Sequence, residues 1–62
     1  MVIDFAIVTE NDVIVPGQVS SNSVVCIHKD PTNPQRSKIY LISGKELIVD
    51  LPYENLKELL KD

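Results

Sequence analysis

The sequence predicts a small α+β unit, a mostly antiparallel sheet of about five strands with one C-terminal helix packed on one face. Three observations lead there. Val and Ile supply 15 of the 27 apolar residues against a single Ala, a bias that suits pleated, half-buried strands. Gly, Pro and polar clusters cut the chain into segments of strand length. The last ten residues alone carry apolar side chains at spacings of three and four.

Val2 to Thr9 reads as the first strand, with Ile3, Phe5 and Ile7 on one face and Val2, Asp4, Ala6 and Val8 on the other. Glu10-Asn11-Asp12 is a polar turn, and Val13-Ile14-Val15 a short second strand stopped by Pro16-Gly17. These two form a hairpin. Gln18 to Ser23 is a polar connector, and Val24-Val25-Cys26-Ile27 a compact apolar run expected to be a buried third strand. Asp30 to Ser37 contains two prolines and almost nothing apolar, which makes it a surface loop.

Lys38 to Ile42 and Leu47 to Leu51 form a second hairpin, with a tight turn at Ser43-Gly44 where the glycine accepts positive φ. That turn sets Tyr40 against Leu47, Lys38 against Val49, Ile39 against Ile48 and Leu41 against Glu46. A slip of one residue would exchange the faces. Pro52 marks the first turn of the helix. Tyr53, Leu56, Leu59 and Leu60 form its apolar stripe, with Glu54, Lys57, Glu58, Lys61 and Asp62 outward. Nothing divides residues 1–62 into more than one domain.

The run Ile39-Tyr40-Leu41-Ile42-Ser43-Gly44-Lys45-Glu46-Leu47-Ile48-Val49, followed by Tyr53-Glu54-Asn55-Leu56-Lys57-Glu58-Leu59-Leu60, resembles the small FlbD-like flagellar or swarming proteins of bacteria. It is also similar to the core of LytTR-type DNA-binding domains. Val13 to Val19 matches the segment those families place before the third strand, so the resemblance covers about the C-terminal two-thirds of the chain. It implies a regulatory or accessory role, with DNA binding as the LytTR-type variant of it.

The composition excludes several classes of chemistry. Cys26 is the only cysteine and His28 the only histidine, so neither an intramolecular disulfide nor a Cys/His zinc site within one chain is possible. No run approaches the roughly 20 apolar residues that span a membrane, and Met1-Val2-Ile3-Asp4 lacks the basic start of a secretory signal. A soluble, cytoplasmic protein is expected. Ser20, Ser21, Ser23, Ser37 and Ser43 have no nucleophile-elbow context. Cys26 and His28, two apart, share a face of a strand, but Cys26 inside its apolar run reads as a small buried hydrophobe with His28 near solvent. Asp4, Glu10, Asp12 and Asp30 form no calcium loop, and Gly17 and Gly44 are too few to cradle phosphate. No enzyme and no cofactor are implied.

Binding remains. One helix covers one sheet face, and the other is expected to show a contiguous apolar patch, covered either by a second copy, face to face or through the edge of the first strand, or by the sheet itself coiling over its second face as small barrels do. The formal charge is −3, yet Lys29, Arg36, Lys38 and Lys45 give residues 28–45 a local excess of +3. These four are the candidate partner-binding residues, with Arg36 in the 30–37 loop as anchor. The reading is a small non-enzymatic oligomeric module of bacterial or phage type that acts by binding another protein. The alternative is a nucleic-acid-binding transcriptional regulator using the basic segment.

Overall fold

The computed structural model describes residues 1–61; Asp62, expected on the outer side of the helix, lies outside them. The elements run β1 (Val2–Val8), β2 (Ile14–Ser20), a 3-10 turn (Ser21–Ser23), β3 (Val24–Lys29), β4 (Ser37–Leu41), β5 (Glu46–Val49) and α1 (Tyr53–Leu59). The five strands form one sheet in the order β2-β1-β5-β4-β3, every neighbouring pair antiparallel. The expected α+β architecture is present.

β2 runs straight through Pro16-Gly17 to Ser20, where the sequence suggested a stop. The sheet order explains how. β2 is an edge strand, and the Ala6 carbonyl opposite Pro16 accepts from the Asp50 amide of the β5 side, 2.8 Å away. By strand alternation Pro16 therefore turns its missing N–H to the open edge, where no ladder bond is lost. β1 lies between β2 and β5 and has no free edge for dimerisation.

β3, expected to be buried, is the other edge strand. Val25 is 64% exposed and sits at a bulge where the β3–β4 register shifts between Val24 and Cys26. Ser37 is not a loop residue: it opens β4, is fully buried, and donates its hydroxyl to the Leu51 carbonyl at 2.7 Å.

The β4–β5 hairpin is one residue out of the expected register. Ser37 faces Val49, Lys38 faces Ile48, Ile39 faces Leu47 and Tyr40 faces Glu46. The cause is the turn. The Leu41 amide donates to the Lys45 carbonyl and the Gly44 amide to the Leu41 carbonyl, both at 2.9 Å, enclosing a three-residue loop that ends in Gly44 at φ 89°. Three-residue hairpin loops with a left-handed last residue are the next choice after two-residue turns. The slip turns Ser37, Ile39, Leu47 and Val49 toward the core and Lys38, Tyr40, Glu46 and Ile48 away from it.

The core is Ile3, Phe5, Val19, Ile39, Val49 and Leu56, with Ile7, Ile27, Leu41 and Leu60 among the side chains packed on it. Pro52 is the cap residue of α1 rather than a residue of its first turn, its carbonyl accepting from the Leu56 amide at 3.0 Å. Leu56 is buried and Leu60 and Tyr53 half-buried, whereas Leu59, placed on the stripe by spacing, is 46% exposed.

The sheet is curled. Ser20 and Val24 end the two edge strands and are joined by four residue steps, at most about 14 Å of chain. Four strand spacings would set the edges of a flat sheet about 19 Å apart. The edges therefore bend toward each other, and the molecule measures 28 × 20 × 19 Å, as thick as it is wide. No helix among the described residues is long and apolar enough to cross a membrane.

Candidate functional site

The sheet face away from the core differs from the contiguous apolar patch the sequence suggested. With the observed register, Val8, Ile48, Lys38 and His28 form one row across the sheet, and Glu46, Tyr40 and Cys26 the next. Of these seven side chains, Lys38, His28, Glu46, Tyr40 and Cys26 are polar or titratable.

Cys26 and His28 do share this face, as their spacing requires, and their side chains meet: Sγ lies 3.5 Å from Nε2. Cys26 is exposed, not a buried hydrophobe, because β3 borders solvent. The Tyr40 ring stands edge-on to the imidazole, centroids 5.1 Å apart at 73°, and limits how it can turn. Beside Tyr40, Glu46 raises the phenol above its ordinary value, chiefly through hydrogen bonding, with desolvation and charge adding to it. The Tyr40–Glu46 pair was invisible in the expected register, which put Tyr40 against Leu47.

The second feature is the free edge of β3. The Asp30 amide donates to the Arg36 carbonyl at 3.3 Å, so Asp30, His28 and Cys26 turn their backbone groups toward β4. Ile27 and Lys29, between them, turn theirs outward. No proline blocks this edge, in contrast to Pro16 on β2. Next to it, between β3 and α1, runs a groove of about 440 Å³ lined by Val24, Val25, Cys26, Ile27 and Leu60 together with Lys57, Glu58 and Lys61.

The four cations are not brought together. Lys29 ends β3 with its ammonium 5.7 Å from the centre of the Tyr53 ring, on the helix side. Lys38 is on the opposite face, paired with His28. Lys45 lies in the β4–β5 turn, separated from Arg36 by the length of β4, about 17 Å at strand rise.

Arg36 is held within the protein. Its Nη1 is 2.8 Å from Asp12 Oδ1, and its buried Nε, which has no hydrogen-bond partner, is 3.8 Å from Asp50 Oδ1. It ties the β1–β2 turn, where Asp12 has φ 61°, to the segment after β5. The 30–36 loop is ordered by its own side chains: Asp30 Oδ1 accepts from the Thr32 amide and hydroxyl, and Asn33 Oδ1 from the Gln35 amide, each at 2.9 Å. The Thr32 bonds, with Lys38 adding charge, hold the Asp30 carboxyl below its ordinary value.

Among the described residues no three His, Cys, Asp or Glu side chains of one chain converge on a point that could hold a metal ion. Comparison with protein-family models, curated proteins and solved structures returned no match. The FlbD-like and LytTR-type resemblance therefore stands on its sequence pattern alone.

Proposed function

We propose that the protein is a non-enzymatic oligomeric interaction module that binds a further chain by strand addition along the open edge of β3. The observation that supports this reading is the pairing of unspent backbone groups with an apolar trough. Ile27 and Lys29 offer N–H and C=O groups to an incoming strand, and the groove beside them accepts alternate side chains of that strand. Main-chain bonds give such additions their affinity and the flanking pockets their selectivity. Pro16 removes one donor from the middle of the β2 edge and so blunts it for the same use, which leaves β3 the edge without such an interruption. The exposed thiol of Cys26 fits a reducing compartment such as the cytoplasm.

Amide hydrogen exchange over a protein concentration series tests the reading. As association proceeds, the Ile27 and Lys29 amides should slow while Gln18 and Ser20 on the β2 edge stay fast. Association that protects the β2 edge, or that leaves Ile27 and Lys29 unchanged, would sink it.

A further inference from the structure

We infer that the strand added to β3 is β3 of a second copy, and that the paired edges build a two-fold-symmetric Cys2His2 site for Zn²⁺ or a similar divalent ion. The inference rests on the edge-binding reading above and adds the occupant and the ligand.

Within one chain Cys26 Sγ and His28 Nε2 are 3.5 Å apart on an exposed face. Zn–S and Zn–N bonds of about 2.3 and 2.05 Å meeting at a tetrahedral angle put their donor atoms about 3.6 Å apart. The pair already has the spacing of two tetrahedral ligands. A single chain stops there, since no other His or Cys exists in the sequence.

Antiparallel pairing of the open edge with itself supplies the other two. Symmetric pairing centres on a residue whose backbone groups point outward, and the edge offers Ile27 and Lys29, with Val25 distorted by the bulge. Centring on Lys29 sets two ammonium groups directly opposite each other, which is unfavourable. Centring on Ile27 sets two isoleucines opposite each other, facing the apolar groove.

That register has a chemical consequence. Cys26 then lies across from His28 of the second copy, and His28 from its Cys26. Both are non-hydrogen-bonded pairs, the kind in which side chains approach most closely, with Cβ atoms about 4.5–5.5 Å apart. Two thiols and two imidazoles surround the two-fold axis on one face of a continuous sheet. On binding, each thiol gives its proton to solvent, and two thiolates with two neutral imidazoles leave a divalent ion electrically balanced. The Tyr40 ring against each imidazole keeps it from turning away, as groups beyond the ligands of metal sites do.

The test is sedimentation equilibrium of the full chain with a non-thiol reductant, in Zn²⁺ or in EDTA, with Co²⁺ as a spectroscopic probe. The expected result is one ion per two chains, twice the 6.9 kDa chain mass, and a dimer midpoint at least about tenfold lower in protein concentration with Zn²⁺ than with EDTA. Co²⁺ should give the intense visible bands of tetrahedral geometry and a thiolate charge-transfer band. Cys26→Ser and His28→Gln, both at exposed positions, should keep the circular dichroism and abolish the metal response. A dimer that forms equally in EDTA and in Cys26→Ser overturns the metal site while leaving edge binding intact. Metal bound at one ion per monomer, or no metal bound, also overturns it. A metal-dependent dimer in which the Ile27 and Lys29 amides stay unprotected overturns both readings.

Discussion

Gly17 lies opposite Phe5 on the core side of β2, and a methyl group there would overlap Cδ1 of Ile7. That atom is the end of a flexible side chain, so the conflict is local. Gly17→Ala should cost about 1–2 kcal/mol by overpacking, and Ile7→Val, which removes the colliding methyl, should make the double variant less unstable than the sum of the two changes. Urea unfolding of the four proteins checks this. Ser37 is the buried polar residue of the core, and Ser37→Ala leaves the Leu51 carbonyl without its donor, at a cost of about 1–3 kcal/mol. The raised phenol of Tyr40 also makes a prediction. Its folded-state pKa exceeds the unfolded value of 10.0, so its contribution to stability is complete below that pH and is lost as pH rises through the folded value. In Glu46→Gln the late phase of the phenolate absorbance titration should move to lower pH. No movement would mean that Glu46 is not the cause. For Asp30 the sign is opposite: its depressed pKa contributes stability above 3.8 that fades as pH falls through the folded value.

Among the elements, the β4–β5 hairpin depends most on one backbone angle. Gly44 is at φ 89° with nothing within 4 Å of where a Cβ would stand, so the penalty for Gly44→Ala is purely conformational, about 1–2 kcal/mol. Gly44→Asn should recover part of it, because Asn tolerates the left-handed region. The same turn decides which side chains of β4 and β5 face the core, and here the sequence was legible only in part. It shows that two strands flank a glycine turn, but Ser43-Gly44 is compatible with a loop of two residues or of three. The two choices differ by one residue of register and exchange every face. Packing decides: the observed register buries Ile39 and Val49 completely, whereas the expected one would have turned Lys38 and Val49 to the same side. β2 and β3 were likewise legible as strands, but their places at the sheet edges were not. Pro16 looked like a terminator because a proline ends any strand paired on both sides, and β2 is paired on one.

For the whole molecule, the open edge of β3 is the feature with the largest consequence. Lys29→Pro removes an amide that makes no ladder bond within the chain, since Lys29 faces Ser37 in a non-hydrogen-bonded pair. The fold should survive this change and self-association should fall sharply, as read by light scattering across concentration. If association is unaffected, β3 is not the contact edge. The charge distribution leads to an expectation of its own. With a formal charge of −3, Lys38 on one face, Lys29 on the other and Arg36 held by Asp12, we expect no tight, steeply salt-dependent association with DNA or RNA. An affinity in fluorescence anisotropy that collapses as salt is raised would reverse that expectation in favour of a nucleic-acid regulator.

The sequence by itself determined the fold class, the number of strands, the C-terminal helix and the shared face of Cys26 and His28. Each follows from local rules: β-branched composition, turn residues, and the periods of 3.6 and 2. Only the tertiary structure decided which strands are edges, which hairpin register holds, and that Cys26 and Val25 meet solvent while Ser37 does not. Those properties depend on contacts between residues far apart in the chain. An apolar run such as Val24 to Ile27 has the same local pattern at the centre of a sheet as at its edge.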